Sequence, residues 1–175
     1  VLLASQICNT PIALITLVDF ERQWFKARVG ISAQETSRDV AFCAHAIRQT
    51  ELFIVRDALE DERFRDNPFV VSDPRIRFYT GAPLISPEGH ALGTLCVIDR
   101  VPRRLTPEHT RALTALGRQV LSQLELRLRN RQLAQSLITQ QQFESIQARC
   151  LFAFDHAIAG IAILEHRLHR VAAHL

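Results

Sequence analysis

The chain has 175 residues and a formal net charge of +3, with 47% hydrophobic and 22% charged residues. This is the composition of a globular protein, and no apolar run approaches the roughly 20 residues that cross a bilayer, so we predict no membrane segment. Residues 1–99 carry 10 basic and 13 acidic groups, whereas residues 100–150 carry 9 basic and 3 acidic groups. No DNA-binding motif accompanies this basic segment, so we favour a solvated helix face over a nucleic-acid partner.

The first third of the chain alternates short apolar runs with polar turns. Residues 12–19 predict a buried strand, and residues 23–29 predict a second strand that pairs with it as an antiparallel hairpin. Residues 31–40 are polar and are predicted to be irregular. Residues 40–47 then predict a short helix, and residues 52–55 a third strand.

A long charged connection over residues 58–75 separates this region from the next pair of strands. It contains two X-Pro bonds and room for one helical turn, and long connections inside compact domains often carry function. Residues 76–85 and 91–98 predict a hairpin around the turn at residues 86–89. Gly81 and Pro83 predict a bend or bulge in the first strand of this hairpin.

A long helix is predicted from about Pro107. Thr106 is a typical N-cap, Pro107 suits the first helical position, and nothing between Gly117 and Gly160 breaks the helix, which we expect to reach about Arg149. A helix too polar for a core usually packs on a partner helix, although a solvent-exposed extension is the alternative. We therefore predict a homodimer through the apolar stripe of Leu113, Leu116, Val120, Leu124 and Leu128.

The four cysteines, at positions 8, 43, 96 and 150, form no CxxC pair, so a zinc site is not expected. Cys43 and His45 are two residues apart on the predicted helix and face different directions, which argues against joint metal ligation and against a Cys–His nucleophile. We predict no metal and no catalytic residue, with haem ligation by His45 as a weaker alternative. Buried, reduced thiols and the lack of a secretion leader predict a cytoplasmic protein.

Three stretches of the chain resemble a bacterial GAF domain. They are AFCAHAI at residues 41–47, DPRIRFYTGAPL at residues 73–84 and LGTLCVID at residues 92–99, and residues 10–19 agree with them. The resemblance covers residues 1 to about 128, with the family's first helix cut off before Val1. It implies an α+β fold, in which helices flank an antiparallel sheet of five to six strands and a long C-terminal helix follows.

GAF domains are small-molecule or chromophore sensors in histidine kinases, cyclic-di-GMP enzymes and related signalling proteins. The resemblance implies a binding pocket between the sheet, the short helix and the long loop, and a small ligand needs an apolar floor with a few polar groups. The alternative role for each candidate residue is to hold the loop on the sheet. The candidates are Cys43, His45, Phe64, Asn67, Phe69, Arg75, Phe78 and Tyr79.

Arg75 and Arg77 alternate on the predicted strand and so should share a face. Two guanidinium groups suit an anionic ligand, but they can equally pair with acidic residues of the loop, and we favour such ion pairs. The acidic candidates are Asp57, Glu60, Asp61 and Asp66.

Several activities of the family lack their residues here. Bilin-binding members carry a Cys beside a His in the second half of the domain, which argues against covalent chromophore attachment in this chain. Cyclic-nucleotide-binding members show an Asn-Lys pattern, but Lys26 is the single lysine here. Methionine-sulfoxide reductase members need cysteines on the pocket loop, and residues 56–90 contain none. The cofactor or ligand therefore stays unknown.

The sequence begins at Val1 and contains no Met, so we interpret it as a fragment of a longer protein. We expect a sensor domain over residues 1–128 and a helical linker over residues 129–149. Residues 150–175 are expected to begin a truncated PAS-like domain, because residues 154–163 resemble the first strand region of that family.

The leading hypothesis from sequence is a non-catalytic regulatory GAF domain. It would bind a small molecule, or sense a local signal such as redox state, and relay the signal through the long helix to a downstream kinase or cyclic-di-GMP domain. Two alternatives remain open, namely a Cys-dependent redox enzyme that uses Cys43 with His45 nearby, and a ligand-free dimerisation module.

Overall fold

The structure, a computed structural model, describes the backbone of residues 1–172 and the side chains of residues 1–154 and 156. Its elements in chain order are α1 (Leu2–Cys8), β1 (Ile12–Val18), β2 (Arg22–Val29), β3 (Glu35–Ser37), α2 (Phe42–Ala46), β4 (Phe53–Val55), α3 (Pro68–Val71), β5 (Phe78–Ile85), β6 (Ala91–Asp99) and α4 (Pro107–Ala172).

The six strands form one antiparallel sheet in the order β3-β2-β1-β6-β5-β4. The two central strands, β1 and β6, are also the most continuously apolar segments of the sequence, because residues in these strands are covered on both faces of the sheet. This architecture confirms the α+β class and the predicted antiparallel sheet with a long C-terminal helix.

Each face of the sheet has its own core. The front core lies under α2, α3 and the loop of residues 56–77, and it includes Leu14, Phe25, Phe42, Phe64, Tyr79 and Cys96. The back core lies under α1 and the first turns of α4, and it includes Ala4, Ala13, Phe78, Leu95 and Leu113. Neighbouring residues such as Phe78 and Tyr79 belong to opposite cores, since side chains alternate along a strand.

Two elements occur where the sequence predicts none. The first is α1, in which Ala4 and Cys8 lie one turn apart and are both buried against the back of the sheet. The second is β3, a three-residue edge strand that pairs with β2 inside the segment expected to be irregular. Such a short strand has too little alternating apolar pattern to be recognised in a polar sequence.

The chain divides into two compact units, Val1–Glu125 and Leu126–Leu175. The start of α4 belongs to the first unit and has the predicted cap, since the Thr106 Oγ1 accepts a hydrogen bond from the His109 N–H at 3.2 Å. In this unit Leu113 is fully buried, and Leu116, Val120 and Leu124 pack against the back core.

This packing corrects the assignment of the apolar stripe to a partner helix. Four of its five residues cover the chain's own sheet, whose back face needs an apolar cover. Of the five, Leu128 alone is exposed, and it belongs to the second unit. Periodicity shows that a helix has an apolar face, but it does not show what that face covers.

The second unit is helical as far as the structure describes it, and the large apolar side chains described in it are exposed. They are Leu126, Leu128, Leu133, Leu137, Ile138, Phe143, Ile146, Leu151, Phe152 and Phe154. Residues 150–172 continue α4 where the PAS resemblance implied a first strand, and residues 173–175 lie outside the described part. A PAS-like domain in this region stays a prediction.

Candidate functional site

A cavity of about 80 Å³ lies in the front core, between the sheet and α2. Its lining is almost entirely apolar. One side of the cavity lies near the surface, because part of the lining is formed by half-buried side chains, those of Ile31, Thr36, Phe69 and Pro74. The lining residues are Leu14, Gln23, Phe25, Ile31, Ala33, Thr36, Ala41, Phe42, Cys43, Phe69, Pro74, Ile76, Tyr79 and Ile98.

Gln23 places a polar group in this apolar surrounding. It lies on β2, two residues before Phe25, so both side chains point to the front of the sheet. Its Nε2 donates to the Thr36 Oγ1 at 3.4 Å, but its Oε1 is buried and has no hydrogen-bond partner among the described residues. The residue is only 6% exposed, so this oxygen is a buried acceptor on a residue that lines the cavity.

Cys43 is the buried thiol in the lining of the cavity. Its Sγ accepts hydrogen bonds from the Tyr79 hydroxyl and from the Thr94 hydroxyl, each at 3.1 Å. The Thr94 hydroxyl lies 3.1 Å from that of Thr16 on the neighbouring strand. The Cys96 sulfur is 3.9 Å from Cys43. α2 therefore presents its thiol to a small polar cluster in the middle of the sheet.

This cluster makes the two thiols unequal. Burial raises the pKa of Cys43, but the hydrogen bonds that Cys96, Thr16, Thr94 and Tyr79 donate outweigh burial and lower this pKa to about 7. Burial and the neighbouring Cys43 raise the pKa of the Cys96 thiol instead. Burial raises the pKa of the Tyr79 hydroxyl, so Tyr79 keeps its proton and serves as a donor.

His45 and Phe64 lie behind the cavity and do not line it. The Phe64 ring stacks on Phe42 with centroids 4.1 Å apart, and the His45 ring meets the edge of Phe64 at 4.8 Å. Burial, together with the positive charges of Arg48 and Arg63, lowers the pKa of His45. The His45 ring therefore packs on Phe64, whereas Cys43 lines the cavity, and the alternative of a Cys-dependent redox enzyme stays a prediction.

The long loop is held on the sheet by its own side chains. Asn67 caps α3 by accepting from the Phe69 N–H at 2.9 Å, and its Nδ2 donates to the Val40 carbonyl at 2.9 Å. Phe69 reaches the cavity wall, whereas Asn67 does not. Asn67 therefore has the structural role that the sequence left open as the alternative.

Neither predicted arginine belongs to the cavity. Both precede β5, and Arg75 is exposed with a left-handed backbone (φ 61°), so the two do not alternate along a strand. Arg77 makes a two-pronged ion pair with Asp57, with Nε 2.6 Å from Oδ1. This pair, which lowers the pKa of the Asp57 carboxyl, agrees with the favoured interpretation of an internal ion pair.

Phe78 is the remaining candidate that does not lie in the site. It is fully buried in the back core, across the sheet from the cavity, because Tyr79 takes the front-facing position next to it. Of the eight candidates, the cavity lining contains Cys43, Phe69 and Tyr79.

Sequence reasoning missed Gln23, Thr94 and Cys96. A signal for Gln23 was present in the sequence. Gln23 and Phe25 are two residues apart on a strand, so the polar side chain of Gln23 lies on the same face as the apolar ring of Phe25. Cys96 and Thr94 are two residues apart on a buried strand, but their approach to α2 arises from the fold alone. Among the described residues no cluster of three or more His, Cys, Asp or Glu side chains is arranged to hold a metal.

Within the described residues, no helix combines the length and the apolar character needed to span a membrane.

Comparison with known proteins agrees with this fold. The model of the GAF domain family matches residues 1–124. A cyclic di-GMP phosphodiesterase of Pseudomonas aeruginosa is 55% identical over 100 residues, which are 57% of this chain and 17% of that protein. The chain therefore spans about a sixth of the length of this relative.

Solved structures with the same fold come from several kinds of protein. A GAF domain of a phosphoenolpyruvate-protein phosphotransferase from Coxiella burnetii aligns with a TM-score of 0.58 at 13% identity, covering 71% of this chain and 79% of that one. A free methionine-R-sulfoxide reductase from Thermoplasma acidophilum aligns with a TM-score of 0.57 at 10% identity, covering 69% and 84%. At these identities the likeness shows the fold alone.

Proposed function

This chain belongs to the GAF domain family, and on that premise we propose that it is a regulatory module with no catalysis of its own. It binds a small molecule in the front-core cavity and relays occupancy through α4 to a downstream output domain. The observation that carries the proposal is the buried, unpartnered Oε1 of Gln23 at an apolar cavity. A buried acceptor without a partner costs about 1–3 kcal/mol, and a bound donor removes that cost.

The cavity restricts the class of ligand. At about 80 Å³ it is smaller than the roughly 150 Å³ cavity known to hold benzene, so a nucleotide or a tetrapyrrole does not fit in this conformation. The geometry favours a molecule of a few non-hydrogen atoms, with an O–H or N–H group for Gln23 and an apolar remainder. This size also supports the absence of a covalently bound chromophore.

The output is proposed to be turnover of cyclic di-GMP, in the cytoplasm. The relative from Pseudomonas aeruginosa is named a cyclic di-GMP phosphodiesterase, and its 55% identity to this chain is far higher than the 13% of the Coxiella burnetii GAF domain. A histidine kinase output is the alternative, supported only at the level of fold by the domain of a putative sensor kinase from Sinorhizobium meliloti, at 17% identity and a TM-score of 0.53.

Native mass spectrometry of the gently purified chain tests the ligand. We expect a bound mass on the wild type and a loss of about 5- to 150-fold in its affinity in Gln23→Met, which keeps the chain length of the side chain but removes the acceptor. The matched control is Gln34→Met on the exposed segment before β3, which should bind like the wild type. A wild type that shows only its own mass contradicts the proposal and favours the ligand-free dimerisation module.

We also propose that the second unit pairs with a second copy of the chain. Leu133 and Leu137 lie one turn apart on α4 and are 63% and 61% exposed, so together they offer an unpaired apolar strip. Coiled-coil pairing of α4 is the arrangement that buries such a strip along a long helix.

Analytical ultracentrifugation at high micromolar concentration tests the dimer. The double variant Leu133→Glu with Leu137→Glu should raise the dimer dissociation constant at least about 10-fold, because it places charges in the apolar strip. The control, Gln135→Glu with Gln142→Glu, adds the same charge on the opposite side of the helix and should dimerise like the wild type. A wild-type chain that stays monomeric refutes the dimer.

A further inference from the structure

Cys43 and Cys96 form a buried dithiol next to the cavity. Their sulfur atoms are 3.9 Å apart although 53 residues separate them in the sequence, and neither residue is more than 1% exposed. A disulfide has an S–S length of about 2.05 Å, so closing the pair requires an approach of about 2 Å between the two sulfurs. Cys8 and Cys150 have no second thiol within hydrogen-bond distance in the described part of the chain.

The surroundings assign different roles to the two thiols. Hydroxyl groups of Tyr79 and Thr94 donate to the Cys43 sulfur, and donors of this kind stabilise a thiolate, which is the nucleophilic form. Burial and the neighbouring Cys43 raise the pKa of the Cys96 thiol, and they outweigh the same two hydroxyl groups, which lower it. Cys43 therefore ionises first, and Cys96 remains a thiol beside it.

The cavity brings a small reactant to Cys43. Cys43 and Tyr79 belong to its lining, whereas Cys96 does not. A water molecule occupies about 30 Å³ in the liquid, so about 80 Å³ has room for a molecule of the size of hydrogen peroxide. The unpartnered Oε1 of Gln23 can accept a hydrogen bond from the O–H of a hydroperoxide, which an ether or a hydrocarbon could not donate.

We propose that Cys43 and Cys96 are a hydroperoxide-reactive pair, in which Cys43 is the attacking thiolate and Cys96 the resolving thiol. The Cys43 thiolate attacks the terminal O–H oxygen of ROOH and the O–O bond breaks, which gives Cys43–SOH and RO⁻. The leaving RO⁻ takes up the proton that Cys43 released on ionising and departs as ROH. The Cys96 thiol then attacks the Cys43 sulfur, forming the disulfide and releasing water. The two thiols supply the two electrons that reduce the peroxide, and an external dithiol restores them.

Oxidation changes the part of the fold that closes the cavity. A disulfide bonds α2 directly to β6, and the Cys43 sulfur no longer offers a thiolate to the Tyr79 and Thr94 donors. Phe42 and Cys43 of α2, together with Ala41 just before the helix, line the cavity, so the oxidised and reduced proteins present different walls. This inference concerns the same cavity as the proposed function, but it requires no resident ligand.

The test uses the reduced 175-residue chain and one equivalent of hydrogen peroxide. Samples are unfolded in the presence of N-ethylmaleimide at successive times, digested and analysed by mass spectrometry. We expect a Cys43–Cys96 cross-linked peptide and the loss of two alkylated sites, at a rate at least about 10-fold above the oxidation of the exposed Cys150. Cys43 and Cys96 that both remain alkylated after Cys150 has reacted overturn the proposal.

Three variants separate the steps. In Cys96→Ser, peroxide should leave a sulfenic acid on Cys43, which a 1,3-diketone captures, and Cys150→Ser should retain the cross-link at the wild-type rate. In Gln23→Met, the cross-link should form more slowly while Cys150 reacts as before. Should Cys96→Ser fail to fold, the wild-type time course decides alone. If protein without a co-purified ligand forms the cross-link, the dithiol pair is supported and only the ligand proposed above is refuted. If a ligand is bound but the two thiols do not react with peroxide, the ligand is supported and the dithiol pair is refuted.

Discussion

Gly93→Ala is expected to lower the free energy of unfolding by about 3 kcal/mol or more, at the upper end of overpacking effects in a core. Gly93 lies on β6, where it faces Leu17 of β1 and Leu84 of β5. A Cβ at this position would lie 1.9 Å from the Thr16 carbonyl oxygen and 2.7 Å from its carbon. These are backbone atoms of the neighbouring central strand, so no side-chain rotation removes the clash, and the strands must separate.

Urea unfolding followed by circular dichroism measures this effect. The control is Gly89→Ala in the turn between β5 and β6, where an added Cβ meets no atom within 4 Å. Its left-handed backbone (φ 87°) makes a loss of about 1 kcal/mol expected there. Equal losses in the two variants would show that the close contact between β1 and β6 does not matter for stability.

Phe64→Ala is expected to cost about 3–5 kcal/mol, the usual range for removing a buried phenylalanine ring. Phe64 is 1% exposed although it belongs to the long charged loop. Its ring stacks on Phe42 and meets the edge of the Phe53 ring at 6.1 Å, so it anchors the loop to both α2 and the sheet. Because Phe42 lines the cavity, loss of its stacking partner should also weaken ligand retention.

Two further variants make the comparison quantitative. Phe20→Ala removes the same side chain from a turn where it is 90% exposed, and we expect a change within about 0.5 kcal/mol. Phe64→Leu keeps much of the buried volume and should fall between the two alanine variants. If Phe64→Ala were no more harmful than Phe20→Ala, the loop would not be packed on the sheet as described.

The sequence was sufficient to predict the local features for which a short segment specifies its own structure. The strands β1, β5 and β6 are continuous apolar runs bounded by turn residues, and the start of α4 has a threonine cap followed by proline. The resemblance to GAF domains rests on such segments together, and the match of the family model to residues 1–124 confirms it.

The candidate site could be predicted only in part, because it depends on which faces meet. Cys43 and Tyr79 were identified from the predicted helix and strand that border the pocket. Phe78 was placed in the site because the sequence alone does not show which of two neighbouring strand residues faces front. Gln23 lies on a strand that the prediction did not connect with the site.

The sequence by itself determined the order of the elements other than α1 and β3, the antiparallel hairpins and the family, since each of these is encoded by residues close together in the chain. Only the tertiary structure decided that the helix stripe from Leu113 to Leu124 covers the chain's own sheet, and that Cys43 and Cys96 lie 3.9 Å apart. Both depend on contacts between distant segments, and these contacts form because each face of the sheet must be covered by an apolar surface. No periodicity within one segment specifies which surface that is.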